Sequence, residues 1–218
     1  MPMRAIVFDL DGLLVDSEPL WLAAETAFPA THGCGYDPEI AKRYAGLRLR
    51  GVIGIMQRES GISDDPRLLG RDLLARLLDH CDAGLHPCPG AATAIRVLGT
   101  RFPLAIASSS PLEVIRFVAR KFGWDRSVAA LCSGEETPRG KPAPDVFLLA
   151  AARLGVPPDT CCAFEDSLAG VRAAKSAGMR CIAVPTPAFG TLEEFSELAD
   201  LTLGSLTDLR PEMIEADT

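Results

Sequence analysis

The sequence predicts an α/β protein: a Rossmann-like parallel sheet flanked by helices, carrying an inserted helical cap. Three observations predict it. Short apolar runs without polar alternation, such as Ile6–Phe8 and PLAIA at 103–107, read as strands buried on both faces. Between such runs apolar residues recur at helical spacing, so strand and helix alternate from about residue 88 onward, the pattern of βαβ units. The stretch from Asp16 to about Gly84 has no strand-like run, only helical periodicity. The expected division is therefore a core of residues 1–15 and 88–218, with a helical cap of residues 16–87 inserted after the first strand.

In chain order, strands are expected at Arg4–Phe8, Pro103–Ala107, Val128–Leu131, Cys161–Phe164, Arg180–Val184 and Leu201–Leu203. The adjacent Cys161 and Cys162 then serve core packing. Ile115, Val118, Ala119 and Phe122 follow the i, i+3, i+4, i+7 spacing of an amphipathic helix, and Val146, Phe147, Ala150, Ala151 and Leu154 form a second such stripe. Ser110 before Pro111, and Ser167 three residues before Gly170, read as helix starts. In the insert, Leu69, Leu73 and Leu77 with Leu74, Leu78 and Cys81 form one helical stripe. Pro29 and the GCG at 33–35 predict that the first insert helix is short or kinked.

Composition narrows the function. The chain has 218 residues, 48% hydrophobic and 23% charged, with ample length for a core. A net charge of −7 without a basic stripe excludes a nucleic-acid surface. No apolar run approaches the ~20 residues that cross a bilayer, and Ile6–Phe8 is too short for a secretory h-region. Seven cysteines without framework spacing fit reduced thiols, so a cytoplasmic location is expected.

The stretch DLDGLLVDSE poses a physical problem. Asp9, Asp11 and Asp16 follow a buried strand, and carboxylates ~4 Å apart repel by roughly 4 kcal/mol at a surface-like dielectric. Ligands of open parallel sheets bind beyond the carboxyl ends of the strands. At that edge the pattern gathers Asp9 and Asp11 after strand one, Ser108, Ser109 and Ser110 after strand two, Lys141 in GKPAPD after strand three, and Glu165 and Asp166 after strand four. Such oxygen donors suit Mg²⁺, which supplies the missing positive charge. Asp9, at the rigid strand end, is the candidate nucleophile toward phosphorus, forming an aspartyl-phosphate. Asp11 is the candidate general acid and base. Lys141 would neutralise the transferring group; Ser108, with Ser109 and the amides opening the next helix, would hold phosphate oxygens. Asp166 would complete the metal shell with Glu165 behind it. Each has a plainer reading: Asp after a strand as a turn residue, Ser110 as an N-cap, Glu165–Asp166 as dipole partners of a helix, Lys141 as a solvated loop residue. Their shared placement at successive strand ends favours the site.

DLDGLLVDSE, the serine after LAIA, the GKPAPD lysine and the acidic pair of FEDS resemble the four motifs of the haloacid dehalogenase superfamily. The helical insert looks like the cap of its β-phosphoglucomutase-like branch. DSEPLW, AGLRLR, ASSSPL and FEDSLAGVRAAK are similar to its 2-deoxyglucose-6-phosphate, or hexitol, phosphatases. The resemblance implies Asp9 as nucleophile, Asp11 as acid/base, and Mg²⁺ held by Asp9, Asp166 and the Asp11 carbonyl. It implies a small phosphorylated metabolite as substrate and a monomer. Dehalogenases of the superfamily lack the second aspartate, so Asp11 argues against carbon–halogen cleavage. The alternative is a β-phosphoglucomutase-type sugar-phosphate mutase, but those carry a cap histidine where Trp21 stands. Substrate contacts are expected from the cap, with Arg48, Trp21 and Glu18 as candidates and Arg50 behind them.

Overall fold

The computed structural model describes residues 2–35, 37–41, 43–44, 46–186 and 189–215. Its strands are β1 (Ala5–Phe8), β2 (Leu104–Ser108), β3 (Val128–Ser133), β4 (Cys161–Glu165), β5 (Arg180–Ala183) and β6 (Leu201–Thr202). They form one sheet in the order β3-β2-β1-β4-β5-β6, with every pairing parallel. Each lies within a residue or two of its expected position, because the central strands are covered on both faces and so read as apolar runs.

β1 sits at the centre, with Ile6 opposite Leu104 on one side and Cys162 on the other. Its side chains divide between two cores. Ile6 and Phe8 join Ile106, Phe164 and Ile182 on one face, where the Phe8 and Phe164 rings stack at 5.0 Å. Ala5 and Val7 join Ala105, Ala107, Ala163 and Phe147 on the other. The strand order reverses between β1 and β4, where an open α/β sheet leaves a crevice at its carboxyl edge.

Among the described residues the insert after β1 holds four helices: α1 (Glu18–Thr31), α2 (Pro38–Ala41), α3 (Leu49–Ser60) and α4 (Pro66–Gly84). The chain leaves and re-enters through paired segments, with Asp16 N donating to His86 O and Cys88 N to Leu14 O. Leu69, Leu73, Leu77 and Cys81 of α4 are its buried stripe, as their spacing predicts. Helix α1 is longer than expected. It runs 14 residues and carries Pro29 in its final turn, where Pro29 forgoes the bond to the Glu25 carbonyl and little helix remains beyond it to be disrupted.

The remaining helices are α5 (Ala91–Leu98), α6 (Leu112–Lys121), α7 (Asp145–Leu154), α8 (Leu168–Ser176), α9 (Leu192–Leu198) and α10 (Glu212–Glu215). Ser167 caps α8 by accepting from Gly170 N, as expected. Ser110 does not cap α6. Pro111 holds the N-cap position, and the Ser110 hydroxyl turns to Asp11 instead. Among the described residues no helix is long and apolar enough to cross a membrane.

Candidate active site

The central strands deliver the acidic residues to one place. Asp9 follows β1, Glu165 ends β4 and Asp166 follows it, and their oxygens lie within 4.8 Å of one another. All three are buried, Glu165 completely. Lys141, from the loop before α7, enters the cluster. Its Nζ donates to Asp9 Oδ1 at 2.5 Å and also to Glu165 Oε1.

The two members of the FEDS pair are satisfied differently. Glu165 Oε2 accepts from the backbone N of Asp166 and Ser167 and from the Ser167 hydroxyl, so both of its oxygens are taken. Asp166 Oδ2 is buried and has no hydrogen-bond partner among the described residues. Gly12, at φ +80°, makes room for it: a Cβ there would lie 2.2 Å from Asp166 Oδ2.

Three carboxyls share one ammonium, and their protonation reflects it. Burial pushes the Asp9 carboxyl up to about 8, opposed by Lys141 and assisted by Glu165 and Asp11. Burial, then Glu165 and Asp9, raise Asp166 well above the usual carboxylate range. Burial pulls Lys141 down, but Asp9 and Glu165 outweigh it and hold the ammonium above its ordinary value. An all-oxygen set, short of positive charge and holding an orphaned buried oxygen, fits a hard divalent cation.

Asp11 stands apart from this cluster. Its Oδ1 accepts from Ser17 Oγ at 2.6 Å and from Trp21 Nε1 at 3.4 Å. Its Oδ2 accepts from Ser108 Oγ and Ser110 Oγ, each at 2.8 Å. One carboxylate thus joins the loop after β1, the segment entering α1, α1 itself and the end of β2. Ser17 is not among the residues the sequence places here, and Ser110, placed at this edge, is given no contact with Asp11 by the sequence. Ser108, expected on phosphate, is turned to Asp11 and also accepts from Ser110 N. Ser109 is half-buried beside it. Asp16 is exposed and does not join the acidic cluster.

The cap candidates separate as well. Trp21 reaches the site through Asp11. Glu18 opens α1, and its carboxyl is raised by burial and by Asp16 and Asp11. Arg48 is not on a helix face but at the N-cap of α3. Its Nη1 donates to the carbonyls of Gly134 and Thr137 at 3.1 and 3.0 Å, and a Cβ at Gly140 would lie 3.0 Å from its Nε. Arg50 donates to the same Thr137 carbonyl and pairs with Glu135. Both guanidiniums therefore bind the core segment that leads to Lys141. Carbonyl partners nearly ninety residues away leave no mark in the sequence around an arginine.

The haloacid dehalogenase-like hydrolase model matches residues 3–178, which contain every acidic, serine and lysine residue just described. The chain belongs to the haloacid dehalogenase-like hydrolase family. It is 37% identical over 212 residues to hexitol phosphatase B of Escherichia coli K12, covering 94% of this chain and 93% of that protein. It is 29% identical to the phosphorylated carbohydrates phosphatase of Thermotoga maritima, covering 97% and 96%. The crystal structure of CbbY from Rhodobacter sphaeroides in complex with phosphate superposes at a TM-score of 0.84 with 29% identity, covering 95% of this chain and 96% of that one.

Proposed function

We propose that this member of the family is a phosphoric monoester hydrolase that dephosphorylates small sugars or sugar alcohols through an aspartyl-phosphate on Asp9, beneath a cap formed by residues 16–87. The observation that carries the reading is the buried group Asp9, Lys141, Glu165 and Asp166 beside a separately held Asp11. It offers a nucleophile, a charge partner and an acid in one crevice. The names of the hexitol and phosphorylated-carbohydrate phosphatases supply the substrate class.

The Asp9 and Asp166 carboxylates, with the Asp11 carbonyl, would hold Mg²⁺. When bound, Mg²⁺ offsets the charge of the carboxylates and of the phosphoryl oxygens. A carboxylate oxygen of Asp9 attacks phosphorus, and the bond to the sugar oxygen breaks. Asp11 gives its proton to that oxygen, releasing the alcohol. In the second half Asp11 takes a proton from water, whose oxygen attacks the phosphorus of the aspartyl-phosphate. The bond to Asp9 breaks, phosphate leaves and Asp11 is again protonated. Three of Asp11's four partners are hydroxyls, which can donate to a carboxylate or accept from a carboxylic acid. They can hold the side chain in both protonation states. Lys141 stays cationic throughout and balances Asp9 and Glu165, while Glu165 fixes Lys141 in place.

The mutase reading finds an indole on Asp11 where the resemblance calls for an imidazole. The test is phosphate release from a panel of hexitol and hexose phosphates with Mg²⁺. Release should vanish with EDTA and in Asp9→Asn. Conversion of β-glucose 1-phosphate without phosphate release, or full activity in Asp9→Asn, would overturn the proposal.

A further inference from the structure

Glu25 lies in the buried stripe of α1 beside Ala24 and Phe28. It is 7% exposed, and no hydrogen bond or ion pair engages its carboxyl among the described residues. Its oxygens are not among the buried unpartnered atoms of the described residues, so the carboxyl tip keeps a narrow opening while the rest of the side chain is covered. Even partial desolvation of an unpartnered carboxyl is costly. Packing alone would be served better by an apolar side chain, so the cost brings no structural return.

The face on which Glu25 sits indicates what it meets. Glu18, Trp21 and Glu25 are spaced i, i+3 and i+7, which aligns them on one side of the helix. Trp21 on that side touches Asp11, and the Glu18 carboxyl is raised in part by the charges of Asp16 and Asp11. This side of α1 therefore looks onto the catalytic loop. Glu25 follows Trp21 by one turn, about 6 Å further from Asp11 along the axis.

We infer that Glu25 is the specificity-determining residue of the cap, hydrogen-bonding the hydroxyls of a polyol chain at the end remote from its phosphoryl group. The inference rests on the phosphatase reading and deepens it. Burial alone pushes this carboxyl up to about 8, which favours its protonated form near neutral pH, a form able both to donate and to accept. Vicinal hydroxyls offer the same pair of roles. An uncharged group in an apolar wall also disfavours any substrate that presents a second anion there, since that charge would lose water without gaining a cation. The substrate class is thus a neutral polyol bearing a single phosphoryl ester.

The test compares kcat/KM for a hexitol phosphate with kcat/KM for p-nitrophenyl phosphate, which has no polyol chain, in the wild type, Glu25→Leu and Glu25→Gln. In Glu25→Leu the ratio of hexitol to aryl ester should fall at least about 10-fold, chiefly through KM for the hexitol ester. Glu25→Gln keeps a donor and an acceptor and should hold the ratio within about 3-fold of wild type. Melting curves establish that both variants fold. An unchanged ratio in Glu25→Leu, or an equal loss on both esters, overturns the inference while leaving the phosphatase reading standing. A wild type that releases phosphate from neither ester defeats that reading, and this inference falls with it.

Discussion

The Ser17 hydroxyl donates a 2.6 Å hydrogen bond to Asp11 Oδ1, tying the residue before α1 to the proposed acid of the catalytic loop. A hydrogen bond to a charged group contributes about 1.5–3 kcal/mol, part of which here goes to orienting Asp11. Ser17→Ala is expected to lower kcat by roughly 5- to 10-fold, since about 1 kcal/mol of orientation is lost in each half-reaction. KM should change little, because Ser17 binds Asp11 and not the substrate. Steady-state kinetics on one hexitol phosphate measures both; an unaltered kcat would show that Ser108 and Ser110 suffice to hold Asp11.

Gly12 carries a sharper expectation. Its φ of +80° disfavours any side chain, and a Cβ there would overlap Asp166 Oδ2. Gly12→Ala must push the Asp166 carboxylate out of the cluster or distort the loop. Mg²⁺ affinity, read from the Mg²⁺ dependence of activity and by calorimetry, should weaken by about 10- to 100-fold, the scale on which displaced metal-site groups act. Unperturbed Mg²⁺ affinity would mean that Asp166 is not a ligand.

The framework of this site was legible in the sequence for a definite reason. Parallel strands buried on both faces are apolar without alternation, so the runs Ala5–Phe8 and Cys161–Phe164 stand out, and the polar residues that follow them mark the sheet's carboxyl edge. What escaped notice depends on partners distant in the chain. Ser110 reads as a helix cap because Ser–Pro opens helices, and only the fold brings it to Asp11, 99 residues away. Glu25 looks like any solvated helical glutamate until α1 is packed. Arg48 and Arg50 read as arms toward a substrate until α3 meets the segment after β3.

Lys141 holds the acidic cluster together. Removing one partner of a buried ion pair costs about 3–5 kcal/mol, because the remaining charge is left uncompensated. Lys141→Met should therefore melt well below the wild type and release no phosphate. The Asp9 and Glu165 carboxyls, having lost the cation that pairs them, should depend more on Mg²⁺. Thermal melts with and without Mg²⁺ should show a larger stabilisation in Lys141→Met than in wild type. Equal stabilisation would separate Lys141 from the metal-binding carboxylates.

Arg48 and Arg50 bridge the helical insert to the segment 134–138. Their charge-assisted bonds to carbonyls hold α3 beside the loop that bears Lys141. In the double variant Arg48→Ala and Arg50→Ala the insert should dock less firmly. Small-angle scattering should then give a larger radius of gyration, and kcat/KM should fall by roughly 10-fold or more as water enters the crevice. A scattering profile that matches the wild type would assign the two arginines to local loop structure alone.

Glu25 also leaves a signature in stability. Burial raises its carboxyl from the ordinary 4.5 to about 8 in the folded protein. Between those values the unfolded chain has released the proton and the folded chain retains it, so folding becomes less favourable as pH rises. The decline approaches ~1.4 kcal/mol per pH unit within that window and is absent below it. Glu25→Gln has no proton to release. Its stability relative to wild type should therefore grow from near zero at acid pH, just below the ordinary carboxylate range, to a few kcal/mol at the alkaline end of the window. Urea denaturation of both proteins across that range measures the difference directly. A difference that stays constant with pH would show that Glu25 finds, in the folded protein, a partner or a water that keeps it ionised.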